Sequence, residues 1–64
     1  MEYPYLGKKY VNEKPYVVMF TGENEGTVVA NETDSDEIRF GMHGDFEEDD
    51  FELLPPEECV RLSN

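Results

Sequence analysis

A chain of 64 residues has room for one domain with one hydrophobic core, so we expect a single domain over residues 1–64. Its 16 acidic and 5 basic side chains give a formal net charge of −11, which repels nucleic acid and anionic membranes, so we expect neither as a direct partner. The single cysteine, Cys59, excludes an intramolecular disulfide and a cysteine-ligated zinc site. A reducing compartment suits that cysteine, and residues 1–5 lack the start of a secretory signal, so we expect a cytoplasmic protein.

The negative charge is concentrated in one part of the chain. Residues 1–20 carry three lysines against two glutamates, whereas residues 21–64 carry two arginines against 14 carboxylates. Low hydrophobicity with high net charge is typical of disordered chains, but here four Tyr and four Phe are grouped with β-branched residues. That grouping predicts a folded domain.

The first half of the chain predicts three strands. Residues 6–11 have the composition of a first strand, and residues 16–21 are a run of strand-forming side chains. Residues 27–30 then form the returning strand of a hairpin. We expect Gly26, at the end of the turn over residues 23–26, to supply a positive φ.

A further strand is predicted by residues 37–40, which alternate polar and apolar side chains with period two. Ile38 and Phe40 would face inward. Residues 41–50 contain two glycines and no usable period, so we expect a loop there with Phe46 as a plug.

The last predicted strand covers residues 51–54, where the alternation returns and places Phe51 and Leu53 inward. Two prolines then end it, because proline cannot donate to a ladder of hydrogen bonds. Residues 57–62 follow as either one short helical turn or a frayed extension.

Five short strands separated by turns predict an all-β fold, either a small five-stranded barrel or a strongly bent antiparallel sheet. The segments 7–11, 18–29, 37–41 and 50–55 follow the rhythm of the SH3-like small barrels, which the chain resembles over residues 6–55. The resemblance implies a barrel core with a C-terminal extension and says little about role, since such barrels serve many functions. The expected core residues are Leu6, Tyr10, Val18, Phe20, Val28, Ala30, Ile38, Phe40, Phe51 and Leu53.

Neighbouring carboxylates such as Asp49 and Asp50 raise the question of an enzyme. An acid–base pair needs one member with a shifted pKa inside a pocket that excludes water, and we do not expect so small a chain to build one. The only histidine, His43, lies 16 residues before Cys59 in a different element, and nothing local activates either side chain. The sequence therefore predicts no catalytic residue.

Calcium is the metal that clustered carboxylates suit best. An EF-hand register started at Asp34 places Ile38 at the fifth position and Arg39 where glycine is required. A register started at Asp45 places Asp50 at that glycine position. No glycine-rich phosphate loop is present either, so we expect no metal site and no cofactor.

The strongest functional candidate is the acidic segment from Asp45 to Glu58. It holds eight carboxylates in 14 residues with no basic residue, interleaved with phenylalanines and leucines. One interpretation is a solvated loop whose apolar neighbours belong to the core. The other is a recognition surface. B-DNA carries about one negative charge per 1.7 Å of helix axis, and proteins that bind it have a matching basic groove. A rigid fold with carboxylates at similar density can enter that groove in place of DNA.

We therefore predict an acidic protein-binding module that occupies a basic, nucleic-acid-binding surface of a host or cognate protein, as a DNA-mimic-like inhibitor or modulator. In size and charge the chain also looks like the small acidic accessory proteins that bacteriophages make to block or redirect host machinery, which implies action in the host cytoplasm. The predicted partner-binding residues are Asp45, Phe46, Glu47, Glu48, Asp49, Asp50, Glu52, Asp34, Asp36, Glu37, Glu23 and Glu25.

The alternative is a structural or assembly protein that self-associates, with the acids keeping it soluble. The contact would be a strand edge or a tyrosine-rich face made of Tyr3, Tyr5, Tyr10 and Tyr16. We expect a monomer or a weak homo-oligomer, and light scattering separates the two hypotheses.

Overall fold

The computed structural model describes residues 3–54. Within them the chain forms five strands and one 3₁₀ turn, and none of these residues lies in a helix long and apolar enough to cross a membrane. The elements in chain order are β1 Tyr5–Val11, β2 Lys14–Gly22, β3 Glu25–Asn31, β4 His43–Asp45, the 3₁₀ turn Glu48–Asp50 and β5 Glu52–Leu53. The segment 57–62, predicted as a helical turn or a frayed extension, lies outside the described residues.

All five strands belong to one antiparallel sheet in the order β4-β3-β2-β1-β5. The all-β prediction is confirmed, and of the two predicted architectures the sheet is the bent, open one. Its edges β4 and β5 are not paired with each other, so the sheet is not closed into a barrel. Register shifts between Val17 and Val18 and between Phe20 and Gly22 interrupt the β2–β3 ladder, and such bulges increase the local bend and twist.

The predicted hairpin and first strand are confirmed, but the turn chemistry differs from the prediction. Asn24, with φ 52°, supplies the positive φ of the β2–β3 turn, whereas Gly26 lies inside β3. Asparagine tolerates this conformation better than most residues. Gly26 is required for a different reason, since a Cβ there would lie 2.6 Å from both the Met19 carbonyl oxygen and Val18 Cγ1.

The core lies on one face of the sheet. Val18, Phe20 and Val28 are completely buried, as predicted, and Tyr16 joins them at 5% exposure. Phe51 packs edge-on against Phe20 and Tyr16, with ring centroids 5.1 and 5.5 Å apart. Partly buried side chains complete the cluster, including the predicted Ile38, Phe46 and Phe51; Leu6 and Ala30 are half-buried.

The strand predicted over residues 37–40 is wrong. On the outer edge of β3, the Val28 amide donates to the Met42 carbonyl and the Val28 carbonyl accepts from the Gly41 amide. β4 follows directly and continues the pairing along β3. Residues 37–40 are thereby left in the connection, and Phe40 is 76% exposed rather than inward. The loop predicted over residues 41–50 accordingly contains β4 and the 3₁₀ turn.

Two other core predictions are wrong because the alternation was assigned to the wrong residues. Tyr5 and Val11 pack against the core, so the intervening Tyr10 belongs to the other face of β1 and is 50% exposed. Phe51 lies in the bend before β5 rather than within it, so the period that joined it to Leu53 does not hold. Leu53 is exposed, and Leu54 is buried.

Candidate functional site

The β2–β3 turn and the chain that leaves β4 meet at one end of the sheet. Glu25 and Asp45 are direct partners across the β3–β4 ladder, and the Phe46 amide donates to the Asn24 carbonyl at 3.0 Å. We call the carboxylates gathered here the acidic tip: Glu23, Glu25, Asp45, Glu47, Glu48 and Asp49.

Glu48 differs from the rest of the acidic tip because its carboxylate is bonded from three sides. The Tyr3 hydroxyl donates to both carboxylate oxygens at 3.2 Å, and the Tyr5 hydroxyl donates to one of them. The Asn24 amide donates to the other at 2.8 Å. In return the Glu48 amide donates to the Asn24 side-chain oxygen at 3.0 Å. We call this arrangement of Tyr3, Tyr5, Asn24 and Glu48 the Glu48 clamp.

The clamp changes the acidity of its members. The hydrogen bond from Tyr5, followed by that from the Asn24 amide, holds the pKa of Glu48 below its ordinary value. Burial and the hydrogen bond to Glu48 raise the pKa of Tyr5 and, to a smaller extent, that of Tyr3. Both effects favour one protonation state, an ionised carboxylate receiving two neutral hydroxyls.

The segment that carries Glu48 is also fastened by its flanking aromatics. The Phe46 and Phe51 rings lie 6.2 Å apart, edge to face, and both pack on the core. Asp50, at the end of the 3₁₀ turn, lies 3.7 Å from Lys9 Nζ in a half-exposed ion pair. The backbone between the two phenylalanines is therefore held from both ends and through Glu48.

The other carboxylates of the acidic tip are exposed to solvent. Glu23, Asp45, Glu47 and Asp49 form no hydrogen bond or ion pair through their side chains with another residue in the range 3–54. Glu25 lies 3.9 Å from His43 Nε2, and His43 Nδ1 is 2.7 Å from the Thr27 hydroxyl. Like charges opposite each other in a sheet are destabilising, and Glu25 and Asp45 are such a pair.

The structure separates the remaining predicted acids from the acidic tip. Asp34 forms an ion pair with Lys14 at the start of β2. The acidic tip lies at the opposite end of β2, beyond Gly22. Nine residues of strand span up to roughly 26 Å at about 3.3 Å per residue. Asp36 and Glu37 follow Asp34 in the same connection, and Glu52 is opposite Lys8 on β5. The predicted binding residues therefore form separate groups rather than one face.

Sequence reasoning missed Asn24, Tyr3 and Tyr5 as members of the site. A Glu-Asn-Glu-Gly turn does indicate asparagine as a candidate for positive φ, so the sequence could have predicted the backbone conformation of Asn24 but not its bonds to Glu48. No local pattern joins Tyr5 to Glu48, which lie 43 positions apart.

The exposed carboxylates of the acidic tip offer a ligand negative charge and hydrogen-bond acceptors. A pocket of about 230 Å³ does lie beside the β1–β2 turn, lined by Val11, Asn12, Lys14, Asp34 and Ser35, but it is at the other end of β2. Among residues 3–54, no three His, Cys, Asp or Glu side chains are grouped closely enough to hold a metal ion.

Comparison of the chain with protein-family models, with curated protein sequences and with solved structures found no match.

Proposed function

We propose that this protein is an acidic binding module whose acidic tip occupies the basic, nucleic-acid-binding surface of a partner protein. The observation that carries the proposal is the contrast within the tip. The Glu48 carboxylate accepts internal hydrogen bonds that fix the 3₁₀ turn. Four neighbouring carboxylates are exposed and have no partner among the described residues. An ordered scaffold thus displays carboxylates that have no counter-charge among residues 3–54 and are available to a basic partner.

The physical basis is complementary charge. Gathering carboxylates at one end of a chain with a net charge of −11 destabilises the free protein, and a surface of lysines and arginines relieves that repulsion on binding. Long-range attraction also raises the rate of encounter. Because the clamp already orders the backbone around Glu48, less conformational entropy is lost when the partner binds.

Inhibition or modulation follows from occupancy. A groove that holds carboxylates in place of phosphates is not free to hold nucleic acid. The resemblance in size and charge to small acidic phage accessory proteins supports this role in a host cytoplasm.

The test uses two four-residue variants with equal net charge. The tip variant combines Glu23→Gln, Asp45→Asn, Glu47→Gln and Asp49→Asn; the matched control combines Glu32→Gln, Asp34→Asn, Asp36→Asn and Glu37→Gln. Calorimetry against a panel of purified basic DNA- and RNA-binding proteins should show binding that weakens by on the order of tenfold or more between about 50 and 200 mM salt. The tip variant should lose that binding and the control should retain it. Equal loss in both variants would show that overall charge, not the tip, is responsible.

Self-association is the second candidate function, and one feature of the sheet favours it. Among residues 3–54, β5 pairs with the outer edge of β1 opposite Gly7 and Lys8, and the Leu54 amide bonds to the Leu6 carbonyl. Tyr10, further along β1, is half exposed. An edge of this kind can pair with a second copy. The tyrosine-rich face has less support, since Tyr16 is buried and Tyr3 and Tyr5 are bonded to Glu48. A dimer by light scattering that persists at high salt and in the tip variant would favour this function.

A further inference from the structure

Phe40 is the most exposed large apolar side chain of residues 3–54, at 76% of its maximum exposure. It occupies the second position of a tight turn over residues 39–42, closed by a 3.0 Å hydrogen bond from the Met42 amide to the Arg39 carbonyl. Gly41 has a φ of +85°, as the third position of a type II turn requires. The turn therefore presents an aromatic ring to solvent at its outermost point.

This turn is fixed to the sheet. The Gly41 amide donates to the Val28 carbonyl at 2.7 Å, and the Val28 amide donates to the Met42 carbonyl at 2.8 Å. Ile38 and Met42, on either side, pack against the core. Phe40 is consequently displayed on a rigid support, which is the property that distinguishes binding anchors from mobile surface side chains.

The turn and the acidic tip share one edge of the sheet. β4 begins directly after Met42 and follows β3 until Asp45 is opposite Glu25. The turn is bonded to Val28, three residues along β3 from Glu25, which is roughly 10 Å of strand. An aromatic ring and a group of carboxylates are thus held at a set separation.

The combination of an exposed Phe40 ring with the acidic tip suits a protein site for single-stranded nucleic acid better than a site for duplex DNA. A duplex presents phosphates while its bases are stacked inside, so contact with its backbone rests mainly on basic side chains and other hydrogen-bond donors. A site for single strands combines a basic groove with aromatic side chains on which unstacked bases lie. A second copy of this chain is a poor occupant, because each copy carries a charge of −11.

Building on the proposed function, we propose that the partner is a single-strand-binding protein, in whose groove Phe40 takes the place of an unstacked base and the acidic tip takes the place of phosphates. Phe40 would stack on an aromatic side chain of the groove. Arg39, its exposed neighbour, would be repelled by the groove, which makes Arg39→Ala the matched control.

The experiment measures displacement of labelled oligothymidylate from a purified bacterial single-stranded-DNA-binding protein of the OB-fold class. The wild type should displace it, and Phe40→Ala should be about five- to 150-fold weaker, the range that follows loss of one base–aromatic stack. Phe40→Trp should restore displacement, and Arg39→Ala should be no weaker than the wild type. The melting temperatures of the Phe40 variants should match that of the wild type, because the side chain is exposed.

A second arm measures displacement of duplex DNA from a purified histone-like, duplex-binding protein. Failure of the wild type to displace oligothymidylate, or equal displacement by Phe40→Ala, would overturn the inference. If the wild type displaces duplex DNA, the tip variant does not, and Phe40→Ala is unchanged, then the proposed function stands and the single-strand inference alone fails. If the tip variant matches the wild type in both arms, the proposed function itself fails.

Discussion

Asn24 and Glu48 are bonded to each other in both directions. The Glu48 amide donates to the side-chain oxygen of Asn24, and the Asn24 amide donates to the Glu48 carboxylate, at 3.0 and 2.8 Å. The two residues are 24 positions apart, with β3, the long connection and β4 between them. This pair joins the β2–β3 turn to the 3₁₀ turn, so the two segments that form most of the acidic tip are ordered together.

Removing one donor of the clamp should destabilise the domain. Tyr5→Phe deletes a partly exposed hydrogen bond to an ionised carboxylate, so we expect the free energy of unfolding to fall by about 1 kcal/mol. In a domain of this size that corresponds to a melting temperature lower by about 4–8 °C, measured by circular dichroism. Glu47→Gln is the control, since the Glu47 carboxylate is exposed and has no hydrogen-bond or ion-pair partner among residues 3–54. Equal melting temperatures for the two variants would contradict the clamp.

Acid should remove the contribution of Glu48. Its pKa is lowered in the folded state from an ordinary 4.5, so its stabilising effect is complete above that value and is lost as the pH falls through the lowered pKa. The difference in melting temperature between the wild type and Glu48→Gln should be constant from neutral pH to about pH 6 and shrink toward pH 3. Repulsion among the other carboxylates is common to both proteins. A difference that stays constant to pH 3 would exclude a titrating Glu48.

Alkali should weaken the fold through the tyrosines. Burial, with the hydrogen bond to Glu48, raises the pKa of Tyr5 above its ordinary 10.0, and burial together with the charge of Asp50 raises that of Tyr16. Stability from a raised pKa is complete below the unfolded value and is lost as the pH rises through the folded value. The tyrosinate absorbance of the wild type minus that of Tyr5→Phe follows Tyr5 while both proteins are folded, and circular dichroism gives the pH at which each protein unfolds. We expect this difference to appear above pH 10, together with unfolding; a midpoint at the ordinary value in a folded protein would refute the shift.

Two glycines in neighbouring strands should respond oppositely to alanine. A Cβ on Gly26 would lie 2.6 Å from the Met19 carbonyl oxygen, whereas a Cβ on Gly44 would have no heavy atom within 4 Å. Gly26→Ala must displace backbone and should destabilise by about 1–3 kcal/mol or more. Gly44→Ala should change the free energy of unfolding by less than about 0.5 kcal/mol. Urea denaturation measures both, and a tolerated Gly26→Ala would contradict the close packing of β2 against β3 at Gly26.

The sequence was most informative where local rules act alone. β-branched and aromatic runs with a turn between them identify β2 and β3, and the same runs contain Val18, Phe20 and Val28, the three completely buried side chains. Strand propensity and turn chemistry suffice there because the hairpin is formed by neighbours in sequence.

Prediction failed where the fold is set by distant partners. His43–Asp45 contains histidine, glycine and aspartate, which have no strand signature; these residues form β4 because β3 offers them an edge. Glu48 looked like one exposed carboxylate among many, and only the return of the 3₁₀ turn to Tyr5 and Asn24 makes it internal. Composition therefore located the acidic tip, while tertiary contacts decided which of its acids remain available.

Leu53 and Leu54 test the register in which the edge strand β5 and the residue after it pair with β1. Leu54 is 5% exposed, and its amide donates to the Leu6 carbonyl at 2.9 Å, whereas Leu53 is 61% exposed. Leu54→Ala should lower the free energy of unfolding by about 2–3 kcal/mol, because it empties a buried site. Leu53→Ala removes an identical side chain one position earlier and should change it by less than about 0.5 kcal/mol. Chemical denaturation of the two variants compares them directly. The reverse order, with Leu53→Ala the more damaging, would restore the alternation in which Phe51 and Leu53 face inward together and would show that β5 is shifted by one residue against β1.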